Sequence, residues 1–190
     1  MEYERRFHSS HFEIRSPQSA DSIGTIVGSA IVFNAESEDL GGFTETIDPG
    51  AVEKSLREHP DVRSFWNHNS ENLLGRSTIP GRDPTLRLFL TPTELRYELD
   101  LPDTSIGRDV LVLAKRGDLR ENSFGFDCED DKWERSEGGK RARRVMQLRL
   151  HEVSPVSIPA YPQTALAVRS MQRWEESLRK RHHITLMPRR

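Results

Sequence analysis

RENSFGFD, residues 120–127, sets one small hydroxyl, Ser123, between an amide and an aromatic–glycine–aromatic step. Phe124, Phe126 and Cys128 alternate with Ser123, Gly125 and Asp127, the period-two pattern of a half-buried strand. Ser123 then lies on the face opposite the phenyl rings, beside a glycine that leaves space open. A serine so placed is either an idle surface hydroxyl or a nucleophile, and the rest of the chain decides between them.

Working outward, the strand is predicted to run over 122–134, turn at SEGGK (136–140) and return through RRVMQLRLHEV (143–153), where Met146, Leu148 and Leu150 alternate. A second hairpin is read from LRLFL (86–90) and LRYELDL (95–101) around the turn TPTE. GTIVGSAIVF (24–33), FTETI (43–47) and DVRSFWNH (61–68) are further strand candidates. DPGAVEKSLREH (48–59) predicts a helix with Asp48 as its cap and Pro49 in its first turn. Another helix is predicted with Ser105 as its cap, Ile106, Val110, Leu113 and Ala114 on one face and Gly117 ending it. A third is expected over 170–182. Hairpins dominate, so the fold class is mainly β (α+β), an antiparallel barrel or sandwich with a few packed helices.

Composition narrows the function. A chain of 190 residues suits one domain with a real core. The net charge of −2 argues against nucleic-acid binding as the main activity. No apolar run approaches the roughly 20 residues that span a bilayer, so no membrane partner is expected. Cys128 is the single cysteine, which rules out an internal disulfide and reads as a small core residue. His8, His11, His182 and His183 have no cysteine companions, and no metal or cofactor is expected. Residues 1–20 read as a flexible N-terminal extension, 21–168 as the folded domain, and 169–190 as a helix with a basic tail.

Three polar residues sit in unusual settings. His68 closes the strand in FWNHNSENLLGRS (65–77), Ser123 has been described, and Glu152 ends the return strand. Leu148 and Leu150 are expected to share the face of Glu152, burying its carboxylate, and a buried carboxylate needs a partner such as an imidazole. Hydroxyl, imidazole and carboxylate are the set that acyl transfer by serine requires. Residue types alone leave each of the three open to a structural or surface role. His151 reads as a surface residue or a supporting group, and the turn after Val153 as a source of backbone donors for an oxyanion.

Four blocks in order resemble the prohead protease family of tailed bacteriophages, the serine peptidases that process scaffold and capsid protein during head maturation. They are GSAIVFNAESEDLGGFTETIDPGAVEKSL (28–56), FWNHNSENLLGRS (65–77), NSFGFD (122–127) and HEVSPVSIPAYPQTAL (151–166). The resemblance implies Ser123 as nucleophile, His68 as general base and Glu152 as third member of the triad. It also implies a closed antiparallel β-barrel surrounded by helices, similar to the herpesvirus assembly protease. The expected substrate is the major capsid protein with its scaffold region, cut in the host cytoplasm inside the assembling prohead. Self-association is a further option, and the chain itself an additional substrate, trimmed after Val168 in its basic tail. The rival reading is a catalytically inactive scaffold or assembly protein with the same barrel. One departure is Glu121, where the family often has a glycine two residues before the serine.

Overall fold

The computed structural model describes residues 3–135, 139–158 and 165–185. In chain order these form β1 (Glu4–Ser9), β2 (Glu13–Arg15), β3 (Ser22–Val32), β4 (Phe43–Ile47), α1 (Glu53–Glu58) and β5 (Arg63–Phe65). A 3-10 turn, Trp66–His68, follows directly. Then come β6 (Leu73–Arg76), β7 (Leu86–Leu90), β8 (Glu94–Pro102), α2 (Ser105–Arg116), β9 (Glu121–Arg135), β10 (Arg141–Val156) and α3 (Ala165–Thr185). The fold is mainly β with a few helices, as the hairpin pattern predicts. Its strands form two ladders, β1-β9-β10-β5-β6 with β4 also on β10, and β2-β3-β8-β7; among the described residues no strand pairing joins them into one closed barrel.

The two sheets share one core. Ile26, Ala30 and Ile31 of β3 and Leu95, Tyr97, Leu99 and Leu101 of β8 meet Phe124 and Phe126 of β9 and Leu148, Leu150 and Val153 of β10. Each fully buried side chain of this size contributes about 1.5–3 kcal/mol relative to exposure. Asn122, in the stretch that opens the reading, locks the sheets polar to polar: it accepts from the buried Tyr97 hydroxyl of β8 and donates to Ser10 Oγ at 3.0 Å. The amide before Ser123 is therefore an anchor.

Local signals shift some boundaries. Asp48 does not cap a helix; its carboxylate takes the Gly50 N–H at 2.9 Å and is held by Arg144 at 2.7 Å, so 48–52 are turns and α1 begins at Glu53. Thr104, not Ser105, caps α2 by accepting from Gly107 N at 3.1 Å, and Gly117 closes it at φ 78°, where a glycine is needed. Residues 136–138, within the predicted turn SEGGK, the proline-interrupted segment 159–164 and the end of the basic tail, 186–190, lie outside the described residues.

Both ends of the chain are more structured than their composition suggests. The segment read as a flexible extension carries β1 and β2, which pair with β9 and β3. The reason is charge. Arg6 of β1 is buried and bonded to Glu45 of β4 at 2.8 and 2.9 Å, while Arg143 of β10 bonds Glu4 at 2.8 and 3.1 Å and Glu45 at 2.9 Å. At the other end α3 begins at Ala165, not 170; Met171 packs on Leu40 and Phe43, Trp174 stacks on Trp133 at 5.8 Å, and Glu175 accepts from Arg141 at 2.5 Å. A cut just after Val168 would fall inside this packed helix, where the backbone is not extended.

Arg143→Leu is expected to destabilise the fold by about 3–5 kcal/mol, because Glu4 and Glu45 would stay buried with only Arg6, which bonds Glu4 at 2.7 Å and Glu45 at 2.8 Å, to pair them. Urea unfolding of the two proteins measures it, and a loss near zero would show that the cluster is neutral to stability.

Candidate active site

The geometry starts from the central strand. β10 pairs antiparallel with β9 on one side and parallel with β5 on the other, so Glu152 has Gly125 and Arg63 as its cross-strand neighbours. β9 carries Ser123, and β5 leads into the turn that ends at His68. Glu152 thus lies between the strand of the serine and the strand of the histidine.

A bulge decides which way it faces. Between Leu150, opposite Phe126, and Glu152, opposite Gly125, the register shifts and His151 is the extra residue. Leu150 and Val153 therefore point to the core with Phe126 and Phe124, while Glu152 and Ser154 share the other face with Gly125 and Ser123. The expectation that Glu152 continues the face of Leu148 and Leu150 is overturned by this single residue. Its burial is nonetheless complete, at 0% exposure.

Glu152 is held from several sides. His68 Nδ1 lies 2.9 Å from Oε1, which also accepts from the Tyr3 hydroxyl at 2.6 Å and from Arg5 Nε at 3.3 Å. Ser154 Oγ donates to Oε2 at 2.8 Å and accepts from Phe65 N at 3.2 Å, tying β5 to β10 beside the pair. Burial acts to raise the Glu152 carboxyl's pKa, but the hydrogen bond and charge of His68, with the bonds from Tyr3 and Ser154, outweigh it and hold it below the usual range. Burial, together with the bond to Glu152, pushes the Tyr3 hydroxyl up to about 12.

His68 sits in an uncommon backbone state. Asn67 and His68 are consecutive non-glycine residues with φ of 53° and 58°. Each such residue costs about 1–3 kcal/mol and is kept where the surroundings impose it. Here Asn67 Oδ1 accepts from Ser157 N at 2.8 Å and Ser157 Oγ at 3.2 Å, fastening the turn to the end of β10. In the neutral form of the imidazole, the carboxylate on Nδ1 favours the tautomer that carries its hydrogen there and leaves Nε2 bare. That nitrogen is buried and has no hydrogen-bond partner among the described residues.

Ser123 is brought next to this pair without being joined to it. It stands opposite Ser154 on the neighbouring strand, buried at 0% exposure, and its Oγ donates to the backbone carbonyl of Arg6 at 2.9 Å. The space beside Gly125 is occupied as well: a Cβ there would overlap the Tyr3 ring and come within 2.8 Å of Glu152 Cγ. His151 does not reach the pair itself; its Nε2 lies 2.8 Å from Asp127 at the surface, and its ring packs 5.1 Å from that of Tyr3. The expected turn after Val153 is absent, since β10 continues in register with β9 to Val156 and contains Pro155, which has no N–H. Tyr3, Arg5, Asn67 and Ser154 are the site residues that sequence reading misses. Only Ser154 leaves a trace there, two positions after Glu152 on the same face.

Residues 10–177 match the model of the Caudovirus prohead serine protease family. The chain belongs to that family. Among solved structures it is similar to the bacteriophage T4 capsid assembly protease, gp21, at 9% identity and a TM-score of 0.47, over 80% of this chain and 98% of that one. No curated protein sequence matches it.

Two outcomes are expected. Ser154→Ala should cost about 1–3 kcal/mol in urea unfolding, since it strips a donor from buried Glu152 and an acceptor from Phe65 N–H. The second concerns acid. The Glu152 carboxyl is held below its ordinary 4.5 when folded. It therefore adds stability that is present above its unfolded pKa and lost as pH falls through the folded one. The stability difference between wild type and Glu152→Gln should shrink as pH falls below the carboxyl's ordinary 4.5; a pH-independent difference would contradict the assigned charge.

Proposed function

We propose that this family member is a serine endopeptidase that cleaves capsid protein and its scaffold region during prohead maturation. Ser123 is the nucleophile, His68 the general base and Glu152 the group that orients the imidazole. The observation that carries this reading is the His68–Glu152 pair, 2.9 Å apart, with a bare buried Nε2 beside the strand of Ser123. In the reaction Ser123 Oγ attacks the scissile carbonyl carbon as Nε2 takes its proton. The imidazolium, stabilised by Glu152, then gives that proton to the leaving amine, and water hydrolyses the acyl-enzyme by the same route. In this reading the work is done inside the assembling prohead, in the host cytoplasm, a location that membership of a prohead protease family supports. The reading includes a barrel like that of the herpesvirus assembly protease, supported by the shared core of the two sheets.

The contact of Ser123 Oγ with Arg6 O favours a second reading, an inactive assembly protein that keeps the fold. Incubation with the cognate capsid protein separates the two. Ser123→Ala and His68→Ala should each reduce cleavage to background, the double variant no further, because nucleophile and base act as one unit. Glu152→Gln should retain more activity than either. Undiminished cleavage by Ser123→Ala would remove it from the mechanism, and no cleavage by wild type under assembly conditions would favour the inactive protein.

A further inference from the structure

The chain places a strand of its own where a substrate would have to lie. β1 runs antiparallel along the edge of β9 that β10 does not use, from Glu4 opposite Phe126 to Ser9 opposite Glu121. Adding an extended peptide to a sheet edge is a common mode of peptide recognition, with main-chain bonds for affinity and alternate side chains for selection. The residue whose carbonyl meets the Ser123 hydroxyl is Arg6, at 2.9 Å from Oγ to O. Upstream of it, Tyr3 covers Gly125, and both Tyr3 and Arg5 donate to the Glu152 oxygen that holds His68. These residues also precede the segment matched by the family, which begins at residue 10.

The side chains of β1 are matched to fixed charges on the body of the protein. Arg6 forms a two-pronged pair with Glu45 of β4, at 2.8 and 2.9 Å. Glu4, two residues earlier on the same face, forms one with Arg143 of β10, at 2.8 and 3.1 Å. Remove β1 and the slot presents a cation followed by an anion, spaced for an extended peptide that reads acid–any–base. Two-pronged guanidinium–carboxylate pairs fix geometry as well as adding energy.

We infer that β1 is an intramolecular pseudo-substrate. It fills the peptide slot along β9 and keeps Ser123 engaged until it leaves, and the slot selects extended peptides with a basic residue, read by Glu45, at the position whose carbonyl faces Ser123. The inference rests on Ser123 being the nucleophile. Until β1 is displaced, Ser123 Oγ is bonded to a carbonyl oxygen, His68 Nε2 is unpartnered, and water and substrate are excluded from both.

The test uses the full chain and a fluorophosphonate probe that labels an activated serine, with amide exchange reporting residues 4–9. Arg6→Glu opposes Glu45 and should expel β1. Ser123 labelling should rise about tenfold or more, because the open fraction sets the rate, while the amides of β3 and β8 remain protected. Arg6→Lys, which keeps a cation facing Glu45, should retain slow labelling and the protection of β1. The peptide MEYERRFHSS added to Arg6→Glu should slow labelling, and the same peptide with glutamate in place of Arg6 should not. If Arg6→Glu does not fold, the paired change Tyr3→Ala with Arg5→Ala releases Glu152 from β1 and should also speed labelling. Ser123 labelled at the wild-type rate in every variant, with β1 amides freely exchanging, would overturn the inference and leave the nucleophile standing. Absence of Ser123 labelling in every variant would overturn both.

Discussion

One inserted residue, His151, sets the arrangement of the whole site. Without the bulge it makes in β10, strict alternation would send Glu152 into the core with Leu148 and Leu150, on the face away from His68. With the bulge, the carboxylate turns to the face of Ser123 and Gly125 and meets His68. The core contacts on both sides of the bulge, Leu150 against Phe126 and Val153 against Phe124, are retained. The strained turn at Asn67 and His68 makes sense in the same terms. A histidine delivered from β5 needs a sharp change of direction to lie over the strand next door, and Ser154 and Asn67 hold that turn to β10 from either side.

The second constraint is the buried charge cluster of Glu4, Arg6, Glu45 and Arg143. Fully paired clusters of this kind add little net stability over apolar packing, but they specify which segments meet and in which register. Here they select the register of β1 on β9. A one-residue slip would break the two-pronged pairs of Arg6 with Glu45 and of Glu4 with Arg143 and would move the Arg6 carbonyl away from Ser123. The same pairs that make β1 a well-formed strand thus decide which peptide bond faces the serine.

Much of this could be read from the residues. The period-two stretches at 43–47, 86–101, 122–134 and 143–153 gave strands close to those observed, and the helix ending at Gly117 followed from its spacing. His68, Ser123 and Glu152 stood out by their settings, and two of the three are in direct contact. What could not be read depends on long-range contacts. A bulge leaves no mark when both the alternating and the shifted registers bury the same leucines. Polar β1 and α3 look like solvated tails until Glu45, Arg143 and Trp133 are known to lie beneath them. Tyr3 and Arg5 reach a carboxylate nearly 150 positions away in the chain, with contacts spanning 149 and 147 residues, and no local pattern carries that information.

The central claim is that Ser123, His68 and Glu152 form one catalytic unit once the slot along β9 accepts a peptide. A crystal structure of the protein with a peptide boronic acid carrying arginine at the boron-bearing residue tests it most directly. The account predicts a bond from Ser123 Oγ to boron, His68 Nε2 within about 2.6–3.2 Å of the adduct's oxygen atoms, Nδ1 still on Glu152, and the arginine on Glu45 in place of Arg6. Boron attached elsewhere, or bound at Ser123 with His68 turned away and β1 unmoved, would contradict it.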